Sequence, residues 1–406
     1  MQDRVRKMYV HMQVDVLQQA IRQVRRAVGT TTGYGEYLLL TASHGTGIAL
    51  AAYNGTFSII RWLDEQPQGG TLGQQVDAQT LAALVKTLPT GNFVDLKVHE
   101  QATVQENDAG EEFTTLKLWT EISSGNIEAS FNGYEEQGFA IALPNAPETG
   151  IRLQAGKLRQ ALEAVIFAAD VSSYGSHPVL ASVKFEFDTD SLTLVTSDGF
   201  RLARRVVELE LATVAEPFSA LVPVETVREL LYILKDLERQ ADDDVLFHVN
   251  DTGTQAQFLC GPDLLLTTQL VDGNYPDYQR IIPDLNAYPV TITVGRSQLL
   301  KAVKRARIFS NLMVRFSCDV DAKHTLTVAA EGAAAGNGET ALSVDLAMPE
   351  DTFTIAFNPK FFTQLLKAVP ADQVTLVFKN ANRPGVIYPA AGSWREHIHV
   401  IMPMAL

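Results

Sequence analysis

The chain has 406 residues, with 47 acidic side chains against 33 lysines and arginines, for a net charge of −14. That balance argues against indiscriminate coating of nucleic acid, which needs an excess of cations to displace counterions. Hydrophobic residues make up 46% and charged ones 20%. This is globular composition, and the length predicts roughly two to four domains. No stretch approaches the eighteen or so apolar residues that cross a bilayer. The charged start Met1–Lys7 runs into Tyr9–Gln13 and not into the apolar run of a signal peptide. Cys260 and Cys318 cannot make a disulfide framework and lack metal-ligand spacing, so buried thiols in a reducing cytoplasm are expected.

In chain order, the first helical pattern is Leu17–Val28, with Leu17, Ala20, Ile21, Val24 and Val28 on one face. Related patterns occupy Leu158–Phe167 and Leu299–Phe309. Their small-apolar pairs Ala20-Ile21, Ala161-Leu162 and Ala302-Val303 recur at an interval of 141 residues. A second helix follows in each unit, at Asp77–Leu88, Val224–Lys235 and Asn358–Val369. Asp77 and Asn358 are suited to N-caps, and Pro359 to a first turn. Alternating strands lie between and after the helices, among them Gly47–Gly55, Thr325–Gly332, Val245–Asn250 and Gln373–Phe378.

Turn residues cluster at Pro144–Gly150 and Pro283–Pro289. The expected architecture is therefore α+β: three repeated domains, 1–146, 151–284 and 288–406, each with two helices and antiparallel sheets. Leu192–Arg204 reads as a hairpin near mid-chain, turning at Asp198-Gly199 with the second strand leaving from Phe200. The acidic turns Asn107–Glu112 and Ala241–Asp244 lack the spacing of a calcium loop. His397 and His399 share a strand face at a spacing that can hold a metal but more often belongs to an exposed strand. Gly45-Thr-Gly47 leads into a strand, so it is no dinucleotide loop. No serine elbow or paired-carboxylate motif stands out. Carboxylates brought together by folding leave a metal-dependent enzyme open as one alternative, and a peptide-binding scaffold that never encircles DNA is another.

Three segments, each in its own place in the repeat, carry a resemblance: Thr196–Ala203, Val271–Pro283 and His399–Leu406. Together they make the chain resemble, over essentially its whole length, the bacterial DNA sliding clamp family, the beta subunits of DNA polymerase III. The resemblance implies a non-catalytic, cofactor-free processivity factor. It would form a head-to-tail homodimer ring around double-stranded DNA, with helices lining the hole and sheets outside. Replicative polymerase, clamp loader and repair proteins would dock through short linear motifs, with no membrane involved.

Carried over by motif, the peptide pocket would use Leu180, Ser197, Gly199, Phe200, Arg201, Leu202, Pro276, Ile281, Val400 and Met402. Such a pocket offers apolar anchoring with a few polar groups at its edge. If only core packing were at work, Val400, Met402 and Met404 would instead fill the interior through an alternating strand. The dimer interface would pair Ile127 and Ala129 with Ile308 and Phe309, Ala129 being small for an anchor. Phe200 and Ala405 stand where the family commonly has His and Arg, which makes the pocket rim less polar. The loop Gly29–Gly35 lacks the family's DNA-touching arginine.

An acidic chain can hold DNA if its charges are segregated. The first helices carry net charges of +2, 0 and +5 and the second helices 0, −1 and +2, about +8 in all, which leaves about −22 elsewhere. Arg22, Arg25 and Arg26, and again Lys301, Lys304 and Arg305, share a helical face opposite the apolar stripe. With Lys86, Lys235 and Lys367 they form the expected DNA-facing set. A weakly positive bore would attract the duplex without gripping it, so retention would be topological.

Overall fold

A computed structural model describes residues 4–29, 36–43, 47–70, 72–106, 112–135, 144–171, 177–209, 214, 216–239, 244–319, 324–348 and 352–406. Gly29–Gly35, Asn107–Glu112 and Ala241–Asp244 fall wholly or mostly outside these residues. Helices form at all six expected places: α1 Val14–Val24, α2 Ala78–Thr87, α3 Ala155–Val165, α4 Val224–Arg239, α5 Arg296–Phe309 and α6 Pro359–Ala368. The apolar stripes explain them. Leu17, Ala20, Ile21 and Val24 are buried on α1, as are Leu158, Ala161, Leu162 and Val165 on α3 and Leu299, Ala302, Val303 and Ala306 on α5.

The first helix tightens into a 3-10 turn at Arg25–Ala27, so Arg25 and Arg26 leave the α-helical register assumed from spacing. A matching 3-10 turn, Ile166–Ala168, ends α3. The caps are as expected: the Asp77 side chain accepts from Thr80 N, and Asn358 accepts from Lys360 N and Phe361 N with Pro359 in the first turn. Long polar side chains also cap second helices. Gln18 Nε2 donates to Val85 O and Leu88 O at the end of α2, while the Arg296 guanidinium donates to Leu366 O and Ala371 O at the end of α6. Arg296 thus neutralises exposed carbonyls instead of adding a free cation to α5.

By backbone proximity the chain divides into two compact units, Met1–Ile151 with Tyr232–Gln269, and Arg152–Leu231 with Leu270–Leu406. In the first, antiparallel strands follow the order 4–13, 93–106, 112–124, 127–135, 73–77, 37–43, 47–53, 57–63, 264–269, 255–260 and 244–249. In the second, nine strands run 218–223, 182–187, 191–197, 201–208, 397–401, 385–389, 373–378, 290–295 and 345–347. A separate sheet there orders 336–343, 325–332, 314–319 and 352–357.

The core of the second unit includes an aromatic cluster in which Phe316, Phe357 and Phe362 pack edge to face, with α5 and α6 closing over it. Phe362 is fully buried. Phe362→Ala is expected to lower stability by about 3–5 kcal/mol, through lost transfer energy and the cavity left behind. Denaturant unfolding of the full chain checks this.

Candidate functional site

The hairpin forms from Ser191–Ser197 and Arg201–Glu208, with Ser197 opposite Leu202. Its turn is centred one residue later than spacing suggests, on Gly199 and Phe200. The reason is that Gly199 alone accepts the φ of +83° required there, while Asp198 stays behind as the cap. Asp198 Oδ1 accepts from Phe200 N and Arg201 N, and Ser197 Oγ donates to Arg201 O. The second strand then pairs with the C-terminal strand His397–Ile401, placing Leu202 opposite Val400 and Arg201 opposite Ile401. Past that strand, Met402 N donates to Phe200 O at 2.8 Å.

These pairings bring part of the expected pocket together. Leu202 and Val400 are buried in one cluster with Val195, Tyr278, Val386 and Ile398. Phe200 is 64% exposed and Met402 43%, so the strand alternates as far as Ile401 but Met402 is not core filling. Ile281, 41% exposed, and Pro276 lie on the surface of the Tyr275–Pro283 segment. That segment is tied down by Tyr278, whose hydroxyl bonds to Glu186 and whose phenol burial pushes up to about 12. Leu180 follows Val179, and the Val179 methyl sits so close to Gly273 that a Cβ at Gly273 would clash with it at 2.8 Å. The loop after Val271 is thereby held against the segment bearing Leu180.

Arg201 is the polar centre of this region. Its Nε lies 2.8 Å from Asp198 Oδ2 and its NH1 2.6 Å from Gln364 Oε1. The guanidinium carbon stands 4.3 Å from the ring centre of Phe361 and 5.2 Å from that of Phe167. Ile166, Phe167, Ala169, Asp170, Val171, Asp198, Phe200, Arg201, Arg228, Lys360, Phe361 and Gln364 enclose a cavity of about 390 Å³. Of the ten expected pocket residues only Phe200 and Arg201 line it. Sequence reasoning missed Phe167, Phe361 and Gln364. The Phe361-Phe362 pair on α6 was the available signal, since one helix can bury only one of two neighbouring rings fully.

Two histidines expected on an exposed strand are instead buried. His397 and His399 lie in the interior of the nine-stranded sheet, and their Nε2 atoms are 2.8 Å apart. Burial and mutual repulsion hold His399 neutral. Burial with Arg205 nearby pushes His397 down to about 3. One ring therefore donates its Nε2 proton to the other. Among the described residues, no group of three or more His, Cys, Asp or Glu side chains could hold a metal ion.

The expected DNA-facing cations Arg22, Arg25, Arg26, Lys86, Lys235, Lys301, Lys304, Arg305 and Lys367 are all exposed. Arg26 is not loose, because its guanidinium stacks 3.7 Å above the Tyr232 ring. On α3, by contrast, Arg159 is paired with Glu163. Of the expected interface residues, Ile308 is 74% exposed and Phe309 half-buried, its ring lying against Gly338. Ile127 and Ala129 are half-buried on Ile127–Glu135.

Two outcomes follow. Arg201→Leu strands the Asp198 carboxylate in a buried place and should cost about 3 kcal/mol, part of which Asp198→Asn recovers in the same background; a double-mutant cycle by chemical denaturation measures both. For the histidine pair, the unfolded chain takes up protons near pH 6.5 while the folded chain resists down to about pH 3 for His397. Stability is thus full above pH 6.5 and falls as pH drops below it, by up to about 1.4 kcal/mol per pH unit per histidine. His397→Leu should flatten the slope between pH 6.5 and 5 in pH-resolved unfolding curves.

Comparison with known proteins places these features in a family. Residues 152–277 match the family model of the DNA polymerase III beta subunit, central domain, and residues 279–405 that of its C-terminal domain. The beta sliding clamp of Streptococcus pneumoniae is 26% identical over 353 residues, covering 85% of each chain. The crystal structure of the sliding clamp from Bacillus subtilis matches 98% of this chain and 99% of its own, with TM-score 0.82 and 22% identity. That of a Pseudomonas aeruginosa clamp bound to griselimycin covers 98% and 100%, with TM-score 0.81 and 20% identity. The two matched models together span well over half of the sequence, in order and without overlap, and the chain belongs to the bacterial DNA sliding clamp family, the beta subunits of DNA polymerase III.

Proposed function

We propose that this chain is a DNA sliding clamp: three clamp domains, 1–146, 151–284 and 288–406, two copies of which close head to tail around duplex DNA in the cytoplasm. The ring tethers the replicative polymerase without doing chemistry of its own, and clamp loader and repair proteins dock on the hairpin region through short linear motifs. The observation that carries this reading is the charge pattern. On α5 the cations Lys301, Lys304 and Arg305 stand exposed over a buried apolar stripe, in a protein of net charge −14. An anionic exterior rejects stray nucleic acid, while a cationic helix surface attracts the duplex without bonding to particular bases.

Ring closure is supported by features of each unit taken separately. Among the described residues, strand Ile127–Glu135 has no partner on its second edge before Gly133, and a cavity of about 430 Å³ lies beside Ala129. Strand Gly336–Ser343 is a free edge of its own sheet, with Phe309 packed on Gly338 and Ile308 exposed nearby in sequence. Free edges of this kind pair readily with another chain. The small side chain of Ala129 gives room for a larger one from the partner.

Loading onto nicked circular DNA with a clamp loader, followed by linearisation, tests the proposal. Release on cutting supports threading, whereas unchanged retention indicates direct binding and overturns it. Reversing Lys301, Lys304 and Arg305 to Glu should reduce loading at least about tenfold at low salt, an effect that fades as salt screens the charges; gel filtration of the loaded DNA measures it.

A further inference from the structure

The cavity of about 390 Å³ lies on the α6 side of the hairpin turn and shares only Phe200 and Arg201 with the expected peptide pocket. We propose that it is a second docking pocket, one that receives an acidic side chain next to an aromatic or branched one on a partner peptide. The proposal rests on the reading of the neighbouring surface as a peptide pocket and extends it.

The walls select the apolar part of the ligand. Phe167, Phe361 and Phe200 present rings to the space, Phe200 and Phe361 at a centroid distance of 6.3 Å, and Ile166 and Val171 complete the lining. Phe200 is exposed on a turn that a partner segment lying in the adjacent groove would have to cross. Such a segment would meet a ready aromatic surface, and aromatic faces are favoured anchors at interfaces.

The charges select the polar part. Arg201 is held rigidly by Asp198, Gln364 and two aromatic rings, so its ordering cost is met before any ligand arrives. The pair it makes with Asp198 is internally neutral. Arg228 and Lys360 then remain as exposed cations at the rim, against the single further carboxylate of Asp170. The excess is about one positive charge, which suits one carboxylate. A DNA backbone is a poorer fit, because three phenyl rings offer nothing to a phosphodiester and successive phosphates would run against Asp170.

Saturation-transfer NMR on the full chain tests this with two probes, N-acetyl-Phe-Asp-amide and N-acetyl-Phe-Asn-amide. The Asp probe should bind about fivefold tighter at low salt, and the preference should vanish in the Arg228→Gln/Lys360→Gln double variant. Equal binding of the two probes, or a preference that survives in the double variant, overturns the proposal. Displacement of the Asp probe by a short DNA duplex would also overturn it, since the cations would then serve DNA. Retention of the double variant on circular DNA should stay within about twofold of wild type, because the cavity's role is confined to peptides. If wild-type protein itself is not released on linearisation, the clamp reading fails, a result independent of the probe comparison.

Discussion

The structure around the candidate site depends on one hydrogen-bonded ladder, that between Arg201–Arg205 and His397–Ile401. These strands are almost two hundred residues apart in sequence, yet their pairing makes a single nine-stranded sheet of what would otherwise be two smaller ones. Because side chains alternate across a strand, the register decides which residues face which way. Setting Leu202 against Val400 buries both, and it leaves Phe200 and Met402 at the surface just beyond the ladder's end. A slip of one residue would bury the turn's polar caps and expose the apolar pair.

The same ladder explains the buried histidines. His397 and His399 occupy successive inward positions on a strand covered on both faces, so neither can carry charge cheaply, and each satisfies the other through one Nε2 contact. Phe167 packs on His399 and also faces Arg201, so the histidine pair and the arginine share a wall. The polar groups here are held in fixed positions by apolar neighbours. That rigidity makes the surface above them a suitable one for recognising short peptides, since little has to be ordered on binding.

Much of this was legible in the sequence. Helices α1, α3 and α5 each announce themselves by an apolar stripe at helical spacing, and the recurrence of the small-apolar pair every 141 residues gave the module its period. Asp77 and Asn358 were readable as caps because their side chains compete for the first free amides of a helix. The turn of the hairpin was misjudged by one residue, since dipeptide preference cannot reveal that Asp198 is needed as a cap and Gly199 for its backbone angle. The burial of His397 and His399 was hidden for a different reason: whether an alternating strand is covered on one face or two depends on neighbours distant in sequence. Likewise nothing in the neighbourhood of Arg201 foretold that Gln364 and Phe361 would reach it from α6. The charge on α5 was overcounted, because a helix's first arginine can be spent on the carbonyls of another helix, as Arg296 is.

If the ladder is the constraint on which the site rests, it should open only when its whole unit unfolds. Native-state amide hydrogen exchange, read by mass spectrometry at segment resolution, measures this directly. The account predicts that 201–205 and 397–401 exchange together, with the same protection as the buried strands 191–197 and 373–378. Fast exchange of 397–401 while 191–197 stays protected would show that the C-terminal strand detaches by itself, and would contradict it.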